Sequence, residues 1–170
     1  MIILGIGSNL SSIFGDRFKN IELAISYLEL YEIKVIKKSS FYESLSYPDP
    51  KHPKFINVVV EVSTYLKAVE LASVIIFIEE KLQRKRNNKN DPRTCDIDII
   101  DFKGEVLDFQ YNQLVFSVPH NQLSYRNFVL YPLNEISPNW IHPKTKESVN
   151  VLISNLSDQD KNSILKIAKS

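Results

Sequence analysis

The chain has 170 residues, 44% of them hydrophobic and 24% charged, ordinary for one globular domain that buries roughly two-thirds of its unfolded surface. A formal net charge of +1 provides no global field toward nucleic acid or membrane, so anion binding has to come from local clustering. The single cysteine, Cys95, excludes an internal disulfide and gives no support to a cysteine zinc site.

Nothing approaches the ~20 consecutive apolar residues that cross a bilayer. Met1-Ile2-Ile3-Leu4 is apolar but lacks a basic leader, and Gly5 and Gly7 interrupt it, so it reads as an opening strand and not a signal peptide. A reducing cytoplasm is the expected location. The strand over 2–6 should end at the turn signature Gly7-Ser8-Asn9. Phe18, Ile21, Ile25 and Leu28 recur at helical spacing, with Asp16 or Ser12 available as a cap. A second strand is predicted over 33–42. A loop follows over 43–54, with Pro48, Pro50 and Pro53 opposing regular structure. Residues 55–64 are β-branched and alternating, a third strand. Over 67–83, Leu71, Val74, Ile75, Ile78 and Leu82 share one helical face. A basic stretch precedes a fourth strand over 95–102.

The order strand, helix, strand, strand, helix, strand is that of a ferredoxin-like α+β sandwich with a mainly antiparallel sheet. Beyond Lys103 short strands are expected near Val106 and Val115. A helix disturbed by Pro132 is expected over 124–135, and a last helix over 149–156. The predicted domain is 1–156, with 157–170 a polar tail that reads as a frayed end or a linker.

Asp96-Ile97-Asp98 carries the strongest chemical signal. Side chains two apart on a strand share a face, ~6.6 Å along the chain. Asp96 and Asp98 then point together while Ile97 and Ile99 face the core, and Asp101 falls on the opposite parity, which argues against it as a ligand. Paired carboxylates repel unless a cation lies between them. Hard oxygen donors suit Mg²⁺, and two ions ~3.5–4 Å apart serve phosphoryl transfer. The alternative is a pair of solvated acids. The preceding stretch 84–93 favours the metal, because Arg84, Lys85, Arg86, Lys89 and Arg93 face a single acid, Asp91. Such cations beside paired carboxylates suit a metal–polyphosphate complex, with arginine forks gripping phosphate oxygens. His52 and His142 read as structural, and Cys95 as a small buried residue. No Walker loop or dinucleotide fingerprint occurs, so phosphates must be held by side chains and metal.

With Arg84-x-Arg86 and Pro92-Arg93-Thr94-Cys95-Asp96-Ile97-Asp98-Ile99 the chain resembles 6-hydroxymethyl-7,8-dihydropterin pyrophosphokinases. Further matches are Gly5-Ile6-Gly7-Ser8-Asn9, Phe41-Tyr42, Phe55-Ile56-Asn57, Val118-Pro119-His120, Arg126-Asn127-Phe128, Pro132-Leu133, Glu135-Ile136-Ser137-Pro138 and His142-Pro143. The resemblance implies a folate-pathway enzyme that transfers pyrophosphate from ATP to the pterin alcohol. It implies that Asp96 and Asp98 hold two Mg²⁺ ions and that Arg84 and Arg93 contact the transferred phosphates. Arg86, His120 and Arg126 would lie on the ATP side, with Glu79 near the nucleotide. Asn57 would read the pterin edge, Phe55 and Phe128 would stack on its faces, and Ser44 and Tyr47 would add loop contacts. The family's usual tryptophan before the Pro-Arg pair is absent, since that region reads Lys89-Asn90-Asp91. A monomer is expected, without nucleic-acid or membrane partners, and relatives can be fused to neighbouring folate enzymes.

Two rival readings are weaker. In a nucleotidyltransferase the Gly-Ser turn lies shortly before the aspartates, whereas here Gly7-Ser8 is most of a domain earlier. An RNA-binding module would stack bases on strand aromatics, where this chain offers Asp96 and Asp98.

Overall fold

The computed structural model describes residues 1–168. Its elements run β1 (Ile2–Ser8), α1 (Arg17–Leu30), β2 (Lys34–Lys38), β3 (Phe41–Ser44), β4 (Phe55–Ser63), α2 (Ala68–Lys81), β5 (Asp96–Phe102), β6 (Leu107–Tyr111), β7 (Leu114–Val118), α3 (Asn127–Ile136), α4 (Val149–Ser154), α5 (Asp158–Asn162) and β8 (Ile164–Ile167). β1 lies antiparallel between β4 and β5, and β2 and β3 pair successively along the other edge of β4. This is the ferredoxin-like strand order, as expected from the sequence. β6 and β7 form a separate hairpin.

The sheet buries side chains on both faces. Leu4, Ile6, Val58, Val60, Ile97 and Ile99 pack with Ile21, Leu28, Leu71 and Ile78 of α1 and α2. On the other face Ile3, Val59 and Ile100 pack with Leu130 and Leu133 of α3 and with Leu152 of α4. Asp16 caps α1, its carboxylate accepting from the Lys19 amide at 2.9 Å, which settles the choice between Asp16 and Ser12.

Three expectations need correction. The strand predicted over 33–42 is two strands, because Ser39 Oγ takes the place of a backbone acceptor and receives the Val59 amide at 3.0 Å. Asp101 does not keep the opposite parity. Ile99 stands opposite Leu4 and Asp101 opposite Ile3, so Ile100 is an extra residue that brings Asp101 onto the face of Asp96 and Asp98. There Asp101 is buried and accepts from Trp140 Nε1 at 2.7 Å and from the Gly104 amide at 2.8 Å, so it is a structural acceptor. The segment expected to be a frayed tail folds instead. Ser157 caps α5 through the Asp160 amide, and β8 extends the main sheet beside β3. Residues 169–170 of that expected tail lie outside the described residues.

Candidate active site

Helices α3 and α4 cover only one end of their sheet face, the end carrying Ile3, Val59 and Ile100. At the other end stands a row formed by register alone, in which Asp96 pairs with Gly7, Gly7 with Asn57, and Asn57 with Tyr42. Asp98 stands opposite Gly5 in the adjacent row of that face. At an inter-strand spacing of ~4.8 Å, Asp96 and Asn57 are separated by about 10 Å of sheet. The glycine between them keeps that floor open. A Cβ on Gly7 would lie 3.2 Å from Asn57 Oδ1 and 3.4 Å from the Phe55 ring.

The carboxylates sit in a net of arginines. Arg84 Nη1 donates to Asp96 Oδ1 at 2.7 Å and to Glu79 Oε1 at 2.6 Å. Arg93 Nη1 donates to Asp96 Oδ2 at 3.3 Å, and Arg126 Nη1 to Asp98 Oδ2 at 2.9 Å. Burial works against an ionised Asp96, but Arg84 and Arg93 outweigh it and hold its pKa below the usual range. Asp98 goes the other way: burial and then the charge of Asp96 push its carboxyl up, with Arg126 opposing. Both side chains remain partly open to solvent, 27% and 32% exposed.

Among the described residues no group of three His, Cys, Asp or Glu side chains converges on a metal position. Two hard carboxylates facing solvent therefore form a partial shell. That fits Mg²⁺, which takes one or two carboxylates and completes its octahedron with water and phosphate oxygens.

Glu79 lies deeper than the sequence suggests. It is 2% exposed at the C-terminal end of α2. It accepts from the Ile97 amide on the open edge of β5 at 2.8 Å, from Arg84, and from Arg86 Nη2. Burial raises its pKa to about 7. Glu79 therefore anchors Arg84 and Arg86.

His120 Nδ1 accepts the Gln122 amide at 3.1 Å, so a neutral ring carries its proton on Nε2. That nitrogen stands 3.2 Å from Arg126 Nη2. Two donors at this distance oppose each other, and the conflict is relieved where one anionic oxygen accepts from both. Burial, ahead of the competing charges of Asp98 and Arg126, lowers the pKa of His120.

On the other side of the floor, Asn57 Nδ2 donates to Tyr42 O at 3.2 Å and to Ser44 Oγ at 3.0 Å. Both amide protons are used, which leaves Oδ1 as an acceptor beside Gly7. Phe55 and Phe128 are half-buried, with the Arg93 guanidinium 5.9 Å from the first ring centroid and Arg126 5.5 Å from the second. Tyr47 is not brought into this group by any contact. It is 75% exposed and makes no hydrogen bond or ring contact among the described residues. His52 lies 3.8 Å from Asp49 in its loop, and His142 Nδ1 accepts the Lys144 and Thr145 amides, a structural role as expected. Cys95 is buried, as expected, and burial pushes its thiol pKa up.

The sequence profile of the 7,8-dihydro-6-hydroxymethylpterin-pyrophosphokinase (HPPK) family matches residues 3–138. The chain belongs to this family. It is 38% identical over 152 residues to the 2-amino-4-hydroxy-6-hydroxymethyldihydropteridine pyrophosphokinase of Synechocystis sp., covering 89% of this chain and 73% of that one. The Aquifex aeolicus protein of the same name is 39% identical over 142 residues, covering 84% and 83%. The crystal structure of Plasmodium falciparum HPPK-DHPS matches 99% of this chain with a TM-score of 0.74 at 16% identity, which shows the shared fold. This chain spans 48% of that longer one.

One residue beside the candidate site was legible only as part of a turn. Asn9 is buried at the end of β1. Its Nδ2 donates to Ser46 Oγ and to Pro53 O, both at 3.1 Å, and its Oδ1 accepts the Arg93 amide at 2.7 Å. The loop before β4 and the loop carrying Arg93 therefore share one side chain. The strand-ending Gly7-Ser8-Asn9 signature marks the position but not these partners.

Proposed function

We propose that this chain transfers the pyrophosphoryl group of ATP to the hydroxymethyl group of 6-hydroxymethyl-7,8-dihydropterin in folate biosynthesis, releasing AMP. The observation that carries this reading is the placement of Asp96 and Asp98 on one sheet face, held there by Arg84, Arg93 and Arg126, with Asp96 about 10 Å of sheet from Asn57. Family membership supports it.

Asp96 and Asp98 would hold Mg²⁺, two ions in our reading, which when bound neutralises phosphate charge and increases the acidity of the pterin hydroxyl. Arg84 and Arg93, now spent on Asp96, would turn to the transferred phosphates as their charge grows. Such transfer requires positioning and charge stabilisation more than covalent participation by the protein. Arg86, His120 and Arg126 would hold the ATP side, with Glu79 fixing Arg84 and Arg86 behind it. Asn57 Oδ1 would accept from an N–H on the pterin edge, Phe55 and Phe128 would stack on its faces, and Ser44 and Tyr47 would border it. The loops 45–54 and 82–95 would close to exclude water, since hydrolysis of ATP competes otherwise.

The reading extends to a cytoplasmic monomer that binds neither nucleic acid nor membrane. No helix among the described residues is long and apolar enough to cross a membrane. Longer relatives such as Plasmodium falciparum HPPK-DHPS show that this fold also occurs within larger chains.

The test is incubation with Mg²⁺, ATP and 6-hydroxymethyl-7,8-dihydropterin, with nucleotides read by chromatography. Pterin-dependent AMP without ADP is the expected product. ADP would make the chain a simple kinase, and pyrophosphate would make it a nucleotidyltransferase.

A further inference from the structure

We propose that the segment 157–168 is a clamp that positions the pterin side of the site, with Asn127 and Glu135 as its positioning residues. The proposal rests on the pterin assignment above.

The family profile ends at residue 138, yet this segment reaches back to the site by three routes. The first is the sheet. β8 pairs antiparallel with β3, with Ile164 opposite Ser44 and Lys166 opposite Tyr42. On its other edge, β3 supplies the two acceptors, Tyr42 O and Ser44 Oγ, that consume the Asn57 amide protons. β3 is only four residues long. As an outermost strand it would present an unpaired row of backbone groups and fray, and β8 moves that fraying one strand outward.

The second route is Asn127. It is buried in the first turn of α3, between Arg126, which binds Asp98, and Phe128. Its Nδ2 donates to Asp160 O at 2.7 Å and to Ser163 Oγ at 3.1 Å. The turn between α5 and β8 is thereby fixed to the helix start that presents Phe128.

The third route is Glu135, at the far end of α3. Its Oε2 accepts from Tyr42 Oη at 2.7 Å and lies 3.4 Å from Lys166 Nζ, while Oε1 accepts from Ser40 at both its amide and hydroxyl. One carboxylate thus joins β3, α3 and β8.

The segment buries little on its own account. α5 has no buried residue, and Leu165 is 62% exposed. Apart from Ile167, which packs partly buried against the core, its connections are ladder hydrogen bonds and polar contacts to residues flanking the pterin side. That is the character of a positioning element, not of a core-forming one.

The test uses the full chain with Asn127→Ala and, separately, Lys166→Met, whose side chain is largely exposed and whose loss leaves the β8 ladder intact. KM for the dihydropterin, KM for ATP and kcat are measured for each. Asn127→Ala should raise the pterin KM about tenfold, and Lys166→Met about threefold, with the ATP KM within about twofold of the unchanged chain. Equal shifts in both KM values, or no shift in either folded variant, would overturn the clamp. If Asn127→Ala does not fold, Lys166→Met alone decides by the same criterion. The unchanged chain separates the two readings. No pterin-dependent AMP from it removes the pterin assignment and the clamp with it, whereas normal turnover with unaffected variants removes the clamp alone.

Discussion

Arg84 and Asp96 are joined at 2.7 Å through the same guanidinium nitrogen that reaches Glu79 at 2.6 Å. One cation is therefore shared between a buried anchor and a candidate metal ligand, and it can leave Asp96 without losing its base. On the proposed reading, Asp96 and Asp98 would hold Mg²⁺ and Arg84 and Arg126 would be released to phosphate oxygens, so each group that loses its present partner would gain another. Asp98→Ala should accordingly reduce turnover about a thousandfold or more. Its melting temperature should stay within about 2 °C of the parent, since the substitution frees Arg126 but removes the repulsion that Asp98 shares with Asp96. Near-normal turnover in a folded Asp98→Ala chain would remove this residue from the metal site.

Glu79 predicts a pH dependence of stability. Burial raises its carboxyl from 4.5 to about 7, against the pull of Arg84. A carboxyl whose folded pKa exceeds its unfolded one takes up a proton on folding between the two values. Its contribution is fully present below about pH 4.5 and is lost as pH rises through about 7. The stability of the parent relative to Glu79→Gln should therefore fall over that window, by at most ~1.4 kcal/mol per pH unit, and level off above it. Urea unfolding of both proteins at several pH values measures this, and a flat difference from pH 5 to 8 would contradict it.

The fold was legible because its signals are local and periodic. Ile21 and Leu28, and Leu71, Ile75 and Ile78, recur at helical spacing and are the residues that α1 and α2 bury. Asp96 and Asp98 alternate with Ile97 and Ile99, and the structure keeps that alternation up to Ile99. It fails one residue later, because the bulge at Ile100 is defined by the register of β1, which leaves no mark in the sequence of β5. Ser39 is similar, since a hydroxyl entering a ladder depends on the partner strand. The segment after Leu156 escaped because a five-residue helix and a four-residue strand are too short to show a period. Among site residues the charge cluster was readable, but its pairing was not. Glu79 gave no sign of being the acceptor for two arginines, because that follows from how the end of α2 crosses the edge of β5.

Asn57 makes a prediction about substrate affinity. Its two amide protons are held by Tyr42 O and Ser44 Oγ, so an Asp at this position loses both donors and sets a carboxylate against a backbone carbonyl. Asn57→Asp should cost about 1–3 kcal/mol in stability, for the buried carbonyl left unpaired. The carboxylate keeps an acceptor next to Gly7, but with both donors gone nothing holds that oxygen in place, which should raise the pterin KM at least about tenfold while the ATP KM remains within about twofold. Steady-state kinetics with each substrate varied in turn would show this, and an equal rise in both KM values would remove Asn57 from the pterin edge.

Asn9 separates the two loops by the chemistry of its own amide. The oxygen receives the Arg93 amide at 2.7 Å, and the nitrogen reaches Ser46 Oγ and Pro53 O at 3.1 Å. Asn9→Asp keeps the acceptor for Arg93 and loses both donors to the 45–54 loop, whereas Asn9→Ala loses every side-chain contact. An unmade buried hydrogen bond costs about 1–3 kcal/mol, and each 1.4 kcal/mol is tenfold in an equilibrium. Asn9→Asp should therefore weaken pterin binding about tenfold with ATP binding nearly unchanged. Asn9→Ala should weaken binding of both ligands by about tenfold or more, because Arg93 then loses the side-chain half of its tie to β1 and keeps only the backbone bond. Titration calorimetry with the dihydropterin and with MgATP, run on both variants, measures the split. Were Asn9→Asp to weaken both ligands equally, the two loops would be moving as one body and Asn9 would not be the joint between them.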